Sequence, residues 1–396
     1  MLLHSSHHHH VIIISSFFFS SSFFLATKKK INNEQNNHNN NINTCIIRLL
    51  RRLIGVGLPP VQAHCSSNRE GTYEGKERIM AALASSKITV NNTCGIDFGV
   101  SACKVACSRG KSIAGLKQEI TVDPMGDFEV ASFVAVGDEG GYVVGNTAKQ
   151  QMASRAKYTK SHVKKLVGTN EKIPIVNSVG KTIETTPEKI ASILLKTVAS
   201  IATDTTGTSV TNAVIAVPHD YSAAEKQSIL KAAELAKLNV LQLISESSAI
   251  ALAYGLDEPS ASNGHYCIVD VGFETTKIAL VNVDGGMLSV KHYSVVENVG
   301  GSIMNEKLVN ICIDQFNKTN PGKGDAIRSN TRATWKLKAA CEHAVRTLSL
   351  SSRANIDIDS LVDGIDLHMP VTVAKLEGKS YTLLACYTLL SIFANF

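Results

Sequence analysis

After residue 89, continuous apolar runs typical of strands alternate along the chain with apolar residues at helical spacing. The run Asn212–Pro218 is apolar without polar alternation, which predicts a strand covered on both faces. Before it, an apolar stripe at helical spacing predicts a helix that lies on a sheet, and Thr186 and Pro187 supply its cap and first turn. The stripe consists of Ile190, Ile193, Leu194, Val198 and Ile201.

A second helix and strand follow in an order typical of a parallel crossover. Ser222 and Glu225 form a capping box, and the helix that they begin extends to about Lys237. The run 240–244 predicts a further strand, with Glu246 just past its end. Ligand-binding groups of such sheets cluster beyond the carboxyl ends of the strands, so Glu246 is a candidate site residue; a surface carboxylate is the alternative.

One stretch occurs twice in the chain. Cys94–Gly99 followed by Lys104 recurs as Cys267–Gly272 followed by Lys277, at a constant offset of 173 residues. Each copy predicts a strand, a tight turn and a second strand. The turn presents backbone N–H groups to an anion, and its Asp is suited to the waters of a hydrated Mg²⁺. Two related halves would then hold a polyphosphate between them.

Residues 1–88 differ in composition from the rest. They consist of near-homopolymer blocks of His, Ile, Phe, Ser, Lys and Asn, which predict a disordered, low-complexity extension outside the fold. Two alternatives remain open: a signal peptide over Val11–Ala26 and an organelle transit peptide around Ile46–Ile54.

Charge and cysteine content exclude some classes of function. The net charge of +6 lies entirely in residues 1–88, and the remaining residues carry 30 basic and 30 acidic side chains. This balance gives no indication of a nucleic-acid surface. The nine cysteines show neither C-x-x-C nor zinc spacing, which favours a reducing compartment.

Six motifs together resemble the nucleotide-binding domain of the heat shock protein 70 family. They are Gly95–Gly99, Val214–Pro218, Ser245–Asp257, Val299–Gly301, Cys341–Ser349 and Ile358–Asp366. The resemblance implies an α/β, actin-like ATPase fold with two duplicated lobes, of which the second is incomplete. Within the family, the chain is most similar to atypical ribosome-associated members that work with a J-domain protein.

The resemblance also implies a role for each matching residue. Asp97 and Asp270 would hold Mg²⁺ through water, and Asp97, Lys164 and Glu246 would form the catalytic set around the γ-phosphate and the attacking water. The residues expected to contact ATP are Gly99, Val100, Ser101, Gly272, Thr275, Gly300, Gly301, Glu342, Arg346 and Ser349. The last three match the adenosine-facing set on one helix.

Four departures from the family pattern predict weak hydrolysis. Val100 replaces a phosphate-loop Thr, Phe273 and Glu274 replace two glycines, and Lys277 replaces a cation-holding Asp. Losing one positioned electrostatic group costs about 10²- to 10³-fold in rate. ATP affinity is expected to persist through Asp97, the first loop and Lys277 acting as a surrogate cation.

These observations divide the chain and predict its function. The domains are an extension (1–88), a first lobe (89–258), a partial second lobe with an open sheet edge (259–375) and a divergent apolar tail (376–396). We expect a cytoplasmic, ATP-binding chaperone or co-chaperone with a J-domain partner and possible ribosome contact, and neither nucleic-acid nor membrane binding. Client proteins would bind only if a peptide-binding domain exists elsewhere. A conventional ATPase chaperone and a nucleotide-independent interaction module are the alternatives.

Overall fold

The computed structural model describes residues 2–4, 9–15, 92–109, 117–120, 126–127, 129–176, 179–258 and 261–377. The predictions of a transit peptide and of an apolar tail lie outside these residues, apart from the tail's first two positions. The described residues form a mixed α/β structure with two large sheets, as expected for two lobes.

The first lobe is built on one large sheet. Its strands are β3 (Thr93–Phe98), β4 (Ala102–Arg109), β5 (Lys117–Ile120), β6 (Val130–Ala131), β12 (Asn212–Val217) and β13 (Asn239–Ser245). They lie in the order β13–β12–β3–β4–β5, with β6 against β4. β12 is parallel to both β3 and β13, as the crossover predicts, and β3 and β4 form an antiparallel hairpin. Smaller sheets contain β7 (Phe133–Val136), β8 (Tyr142–Val144) and β9 (Thr159–Ser161), and β10 (Ile173–Val176) and β11 (Thr182–Thr185).

Two helices of the first lobe begin where the sequence predicts their caps. The Thr186 side chain accepts a hydrogen bond from the Lys189 amide, and both bonds of the Ser222–Glu225 capping box form. The helices are α1 (Asn146–Gln150), α2 (Met152–Arg155), α3 (Pro187–Thr206), α4 (Ala223–Leu235) and α5 (Glu246–Ala253). The predicted stripe of α3 packs on the sheet and, with α4, forms the main core of this lobe.

The Lys-rich stretch ending at Gly168 has the composition of a helix, but the structure shows that it is not one helix. The chain forms α1 and α2, a short strand β9 and a 3₁₀ turn at Val163–Leu166. His162 precedes this turn in a left-handed conformation with φ of 54°, which interrupts any continuous helix.

The second lobe repeats the hairpin and adds a third strand. β14 (Gly264–Val271), β15 (Thr276–Asp284) and β16 (Met287–Val296) are successive antiparallel neighbours. Asp97 lies opposite Lys104 in the first hairpin, and Asp270 lies opposite Lys277 in the second. The duplicated sequence therefore produces the same register in both lobes.

An amino-terminal strand completes this second sheet. β2 (His9–Ser15) is parallel to β14, and β1 (Leu2–His4) is antiparallel to β2. β2 occupies the position beside β14 that β12 occupies beside β3 in the first lobe. The side of β14 that faces away from β15 is thus paired, and the outer strands of this sheet in the described residues are β1 and β16.

This placement also differs from the expectation that the segment lies outside the fold. β-branched residues 11–14 suit a strand, but their pairing partner is some 250 residues away along the chain. No local pattern in the sequence could indicate such a pairing.

The rest of the second lobe is a helical layer on a two-stranded sheet. It contains α6 (Gly301–Thr319), α7 (Gly324–Ser329), α8 (Thr331–Leu348), β17 (Arg353–Val362), β18 (Ile365–Thr372) and α9 (Val373–Glu377). The buried face of α8 includes Cys341, Ala344, Val345 and Leu348. The six cysteines of the described residues are free and buried, and none of the helices in those residues has the length and apolar content needed to cross a bilayer.

Candidate functional site

The two hairpin turns are close-packed backbone structures. A Cβ atom at Gly99 would lie 2.2 Å from the Ala102 carbonyl oxygen, so only glycine fits there. In the second turn, the Gly272 amide donates to the Thr275 carbonyl at 2.9 Å. Val100 and Ser101 lie in the first turn and are half-buried. Both predicted phosphate loops therefore exist as tight turns at the ends of β3 and β14.

The structure brings Asp97 and Asp270 into one buried cluster, in which their charges interact. Burial raises the pKa of both carboxyls, that of Asp270 to about 6. Lys104 opposes this rise most strongly at Asp97, and Lys277 does so at Asp270. The predicted meeting of two related turns across one site is thus present.

Glu246 is held between two lysines. It is the first residue of α5, where β13 ends and Ser245 caps the helix. Lys164, from the 3₁₀ turn, donates to Glu246 Oε1 at 2.7 Å, and Lys277 donates to Oε2. Burial alone would raise the pKa of Glu246, but the two ammonium groups outweigh it and hold that pKa at about 2. The carboxylate is therefore ionised, with both oxygens engaged.

Lys164 is equally committed to this contact. Its side chain is buried, which acts to lower its pKa, yet the adjacent Glu246 carboxylate raises the pKa above its usual value. The ammonium group stays charged without contact to solvent because the carboxylate compensates its lost hydration. The residues predicted as the catalytic set, Asp97, Lys164 and Glu246, are all in this cluster.

The altered second loop contacts the first lobe directly. The Phe273 ring stacks on His162 with centroids 5.5 Å apart, and Glu274 pairs with Lys165 at 2.7 Å. Lys277 adds a third link through Glu246. Each of these three departures from the family pattern therefore makes a contact between the lobes.

The start of α6 supports the same loop. The Gly301 amide donates to the Gly272 carbonyl at 3.0 Å, and the Ser302 amide donates to the Phe273 carbonyl at 2.6 Å. A Cβ atom at Gly300 would lie 2.6 Å from the Phe273 carbonyl oxygen. These two amides of the helix start hold the loop. The expected contact of Gly300 and Gly301 with ATP stays a prediction.

The predicted adenosine-facing trio lies together at the carboxyl end of α8. Glu342 accepts hydrogen bonds from Arg346 at 3.1 Å and from Lys149 of the first lobe at 2.6 Å. The Ser349 hydroxyl donates to the Arg346 carbonyl at 2.5 Å. The trio thus borders α1, and Glu342 links the two lobes there.

The cavity beside the charged cluster is small. It measures about 10 Å³, enough for about one water molecule, and its lining includes Glu246, Asp270, Lys277 and Tyr293. A larger surface hollow of about 410 Å³ lies near Leu230 and contains none of the predicted residues. We place the functional site at the cluster because its charges and turns converge there.

Several contributors were not predicted from sequence. Lys149, His162 and Lys165 gave no signal because their partners come from the other lobe. Lys104 was visible as part of the repeat, but its position opposite Asp97 follows only from the hairpin register.

The positive charge of the lysines in the cluster determines how well it could bind a divalent cation. Three carboxylates (Asp97, Asp270 and Glu246) share it with three ammonium groups (Lys104, Lys164 and Lys277), and Lys104 also pairs with Glu129 at the rim, so most of the negative charge is compensated. Mg²⁺ sites in proteins rely on carboxylates with uncompensated charge. These residues do not fit a resident Mg²⁺ well, and the predicted metal role of Asp97 and Asp270 stays a prediction.

Comparisons with known proteins agree with the resemblance found in the sequence. The model of the family described as "Hsp70 protein" matches residues 93–388. "Heat shock 70 kDa protein 2" of Paracoccidioides lutzii is 32% identical over 305 residues, which cover 72% of this chain and 45% of that protein. "Heat shock cognate 70 kDa protein 3" of Dictyostelium discoideum is 34% identical over 285 residues, 65% of this chain and 45% of the relative.

A third relative is "Heat shock 70 kDa protein" of Emericella nidulans, 32% identical over 305 residues that cover 72% of this chain and 46% of its own. The chain thus spans just under half the length of these three relatives. The matched residues include both hairpins, the charged cluster and α8. The chain belongs to the Hsp70 family, and its two repeated lobes have the actin-like ATPase fold of that family's nucleotide-binding domain.

Proposed function

We propose that this protein is an ATP-binding component of an Hsp70-type chaperone system that hydrolyses ATP weakly or not at all. The observation that carries the proposal is Glu246, whose two carboxylate oxygens bind Lys164 and Lys277. The family resemblance assigns Glu246 to the attacking water. With both oxygens engaged and its pKa at about 2, this carboxylate is a poor acceptor for a proton.

Nucleotide binding is supported by groups that remain in place. The Gly99 turn keeps its close geometry, and Lys164 stays charged beside the cluster. Arg346 and Glu342 keep their positions on one helix face. ATP binding requires charged groups and backbone amides in the right positions. Hydrolysis also requires a positioned water molecule, so hydrolysis is lost more readily than binding.

The test compares binding and turnover on the same protein. Mant-ATP titration is expected to give saturable binding, and single-turnover hydrolysis is expected to be at least about 10²-fold slower than for a conventional relative measured in parallel. The variant Lys277→Asp frees one oxygen of Glu246 and should increase the rate. Turnover equal to that of the relative would refute weak hydrolysis and favour a conventional ATPase chaperone.

One observation favours a second candidate, a nucleotide-independent interaction module. The side chains of Phe273, Glu274 and Lys277 join the two lobes directly, without a nucleotide between them. Thermal melting distinguishes the two, because a ligand that binds only the folded state raises the midpoint. No shift at saturating ATP, with or without Mg²⁺, would favour the module.

We place this activity in the cytosol with a J-domain co-chaperone, and at the ribosome, on the strength of the sequence resemblance to ribosome-associated members. Pull-down with a J-domain protein and ribosome co-sedimentation would test these partners.

A further inference from the structure

Each predicted metal-holding Asp has a lysine directly opposite it on the neighbouring strand. Asp97 pairs in register with Lys104, and Asp270 with Lys277. Opposite residues of an antiparallel pair project from the same face, with Cβ atoms about 4.5–5.5 Å apart. The strand register therefore places a lysine beside each of these carboxylates.

Both lysines lie inside the site and not on its surface. Lys104 is buried, and its Nζ is 3.1 Å from Glu129 at the rim of the site. The Lys277 side chain is 17% exposed and binds Glu246. Lysine at these depths is uncommon unless it is paired, so its presence in both hairpins indicates a role in the charge balance of the site.

The symmetry of the arrangement shows what the lysines replace. A divalent cation at this site would be shared by Asp97 and Asp270, one from each lobe. Here each of these carboxylates faces a lysine whose charge opposes the rise in its pKa. Lys104 also pairs with Glu129 and Lys277 with Glu246, so much of the negative charge of the cluster is compensated before any ligand arrives. A metal ion would therefore meet less of the excess negative charge that normally retains it.

We infer that Lys104 and Lys277 take the place of the divalent cation, so that the cleft binds nucleoside triphosphate as the metal-free anion. The inference rests on the proposed nucleotide binding and specifies the form of the ligand. A lysine ammonium is a compact charge with three donors, able to contact phosphate oxygens while keeping a carboxylate partner. The positive charge that usually arrives with the nucleotide is then part of the protein.

The test is mant-ATP titration of the full chain in excess Mg²⁺ and in excess EDTA. The wild-type dissociation constants in the two buffers are expected to agree within roughly threefold, under 1 kcal/mol. Lys277→Asp restores an uncompensated carboxylate, so its binding is expected to be at least about tenfold weaker in EDTA than in Mg²⁺. Lys291→Asp, at an exposed position on β16, is the matched control and should behave as wild type.

Lys104→Gln provides a second variant that adds no negative charge. It is expected to weaken binding in EDTA more than in Mg²⁺, and its thermal midpoint reports whether it is folded. Wild-type binding that falls more than about tenfold in EDTA would overturn the inference and leave the proposed ATP binding intact.

Thermal melting with Mg²⁺ alone tests the inference in the case in which no nucleotide binds in either buffer. That result would refute the proposed function, while melting with millimolar Mg²⁺ alone still tests the lysines. A midpoint unchanged by Mg²⁺ supports their replacement of the cation. A rise that Asp270→Asn abolishes would show a divalent site and overturn it.

Discussion

The His162 ring of the first lobe stacks on the Phe273 ring of the second, with centroids 5.5 Å apart and planes inclined by 21°. His162 also contacts Phe133, whose ring centroid is 5.8 Å away and whose plane is tilted by 50°, so the ring contacts continue into the first lobe. Phe273 stands where the family has a glycine that allows close approach to phosphate. The Phe273 ring therefore joins the lobes at a position where the family's glycine would let the backbone approach the phosphates.

Removing this ring is expected to loosen the junction between the lobes. Phe273→Gly should lower the free energy of unfolding by about 1–2 kcal/mol, from the lost stack and lost burial. It should also speed amide exchange in Val163–Leu166 and in the second turn. Hydrogen exchange with mass spectrometry measures both, and Phe273→Tyr, which keeps the ring, is the control. Unchanged protection in the glycine variant would contradict a role for the stack.

The neighbouring ion pair should contribute little and depend on salt. Lys165 is 53% exposed, and its Nζ is 2.7 Å from Glu274. Exposed pairs contribute about 0.2–1 kcal/mol, so a double-mutant cycle with Lys165→Gln and Glu274→Gln should give a coupling in that range. Salt at about 1 M should abolish most of it. A coupling above about 2 kcal/mol would mean that the pair is more desolvated than its exposure indicates.

Glu246→Gln is expected to be strongly destabilising at pH 7. The substitution keeps the side-chain volume but leaves Lys164 and Lys277 without their buried counter-charge, which costs about 3–5 kcal/mol. Urea unfolding measures the loss, and Glu234→Gln, at an exposed position on α4, is the matched control.

The same pair of proteins predicts a pH dependence. Because the pKa of Glu246 is about 2 in the folded state and near 4.5 when unfolded, the unfolded chain binds more protons between these values. The contribution of Glu246 is therefore complete above pH 4.5 and lost as the pH falls toward 2. The difference in stability between wild type and Glu246→Gln should shrink across that window. A constant difference would show that the ion pairs do not set the pKa.

Backbone pairing of the amino-terminal strand can be tested without assumptions about its side chains. Ile13 lies within β2, which pairs with β1 on one side and β14 on the other. Proline lacks the amide donor, so Ile13→Pro should break the ladder, lower the melting temperature and expose the amides of Gly264–Val271 to exchange. Ile13→Val keeps the donor and should match wild type. Equal exchange in the two variants would mean that β2 does not support this sheet.

The hairpins and helix starts of each lobe could be predicted because they depend on residues that are close together in the sequence. The duplicated Asp, Gly and Lys positions predicted two hairpins, and the register of Asp97 with Lys104 and of Asp270 with Lys277 matches that duplication. The caps of α3 and α4 and the position of Glu246 after β13 were also predicted correctly.

What sequence reasoning missed depends on contacts between distant segments. Phe273 and Glu274 looked harmful to phosphate binding, and their partners His162 and Lys165 became visible only when the lobes were placed together. Lys277 was expected to face the nucleotide as a surrogate cation, yet it also binds Glu246. Composition alone cannot show such pairs, because each residue has an acceptable surface role in its own segment.

The pairing of β2 with β14 has a consequence for the order of events on the ribosome. β2 is synthesised roughly 250 residues before β14, and at about 5–20 residues per second the interval is on the order of 10–50 s. Throughout that time the first lobe can fold, while the Ile-rich strand has no template to join. Newly made chains therefore pass through a stage in which an unpaired β-prone segment must be kept from aggregating, and β2 can join the second sheet only after β14 has been made.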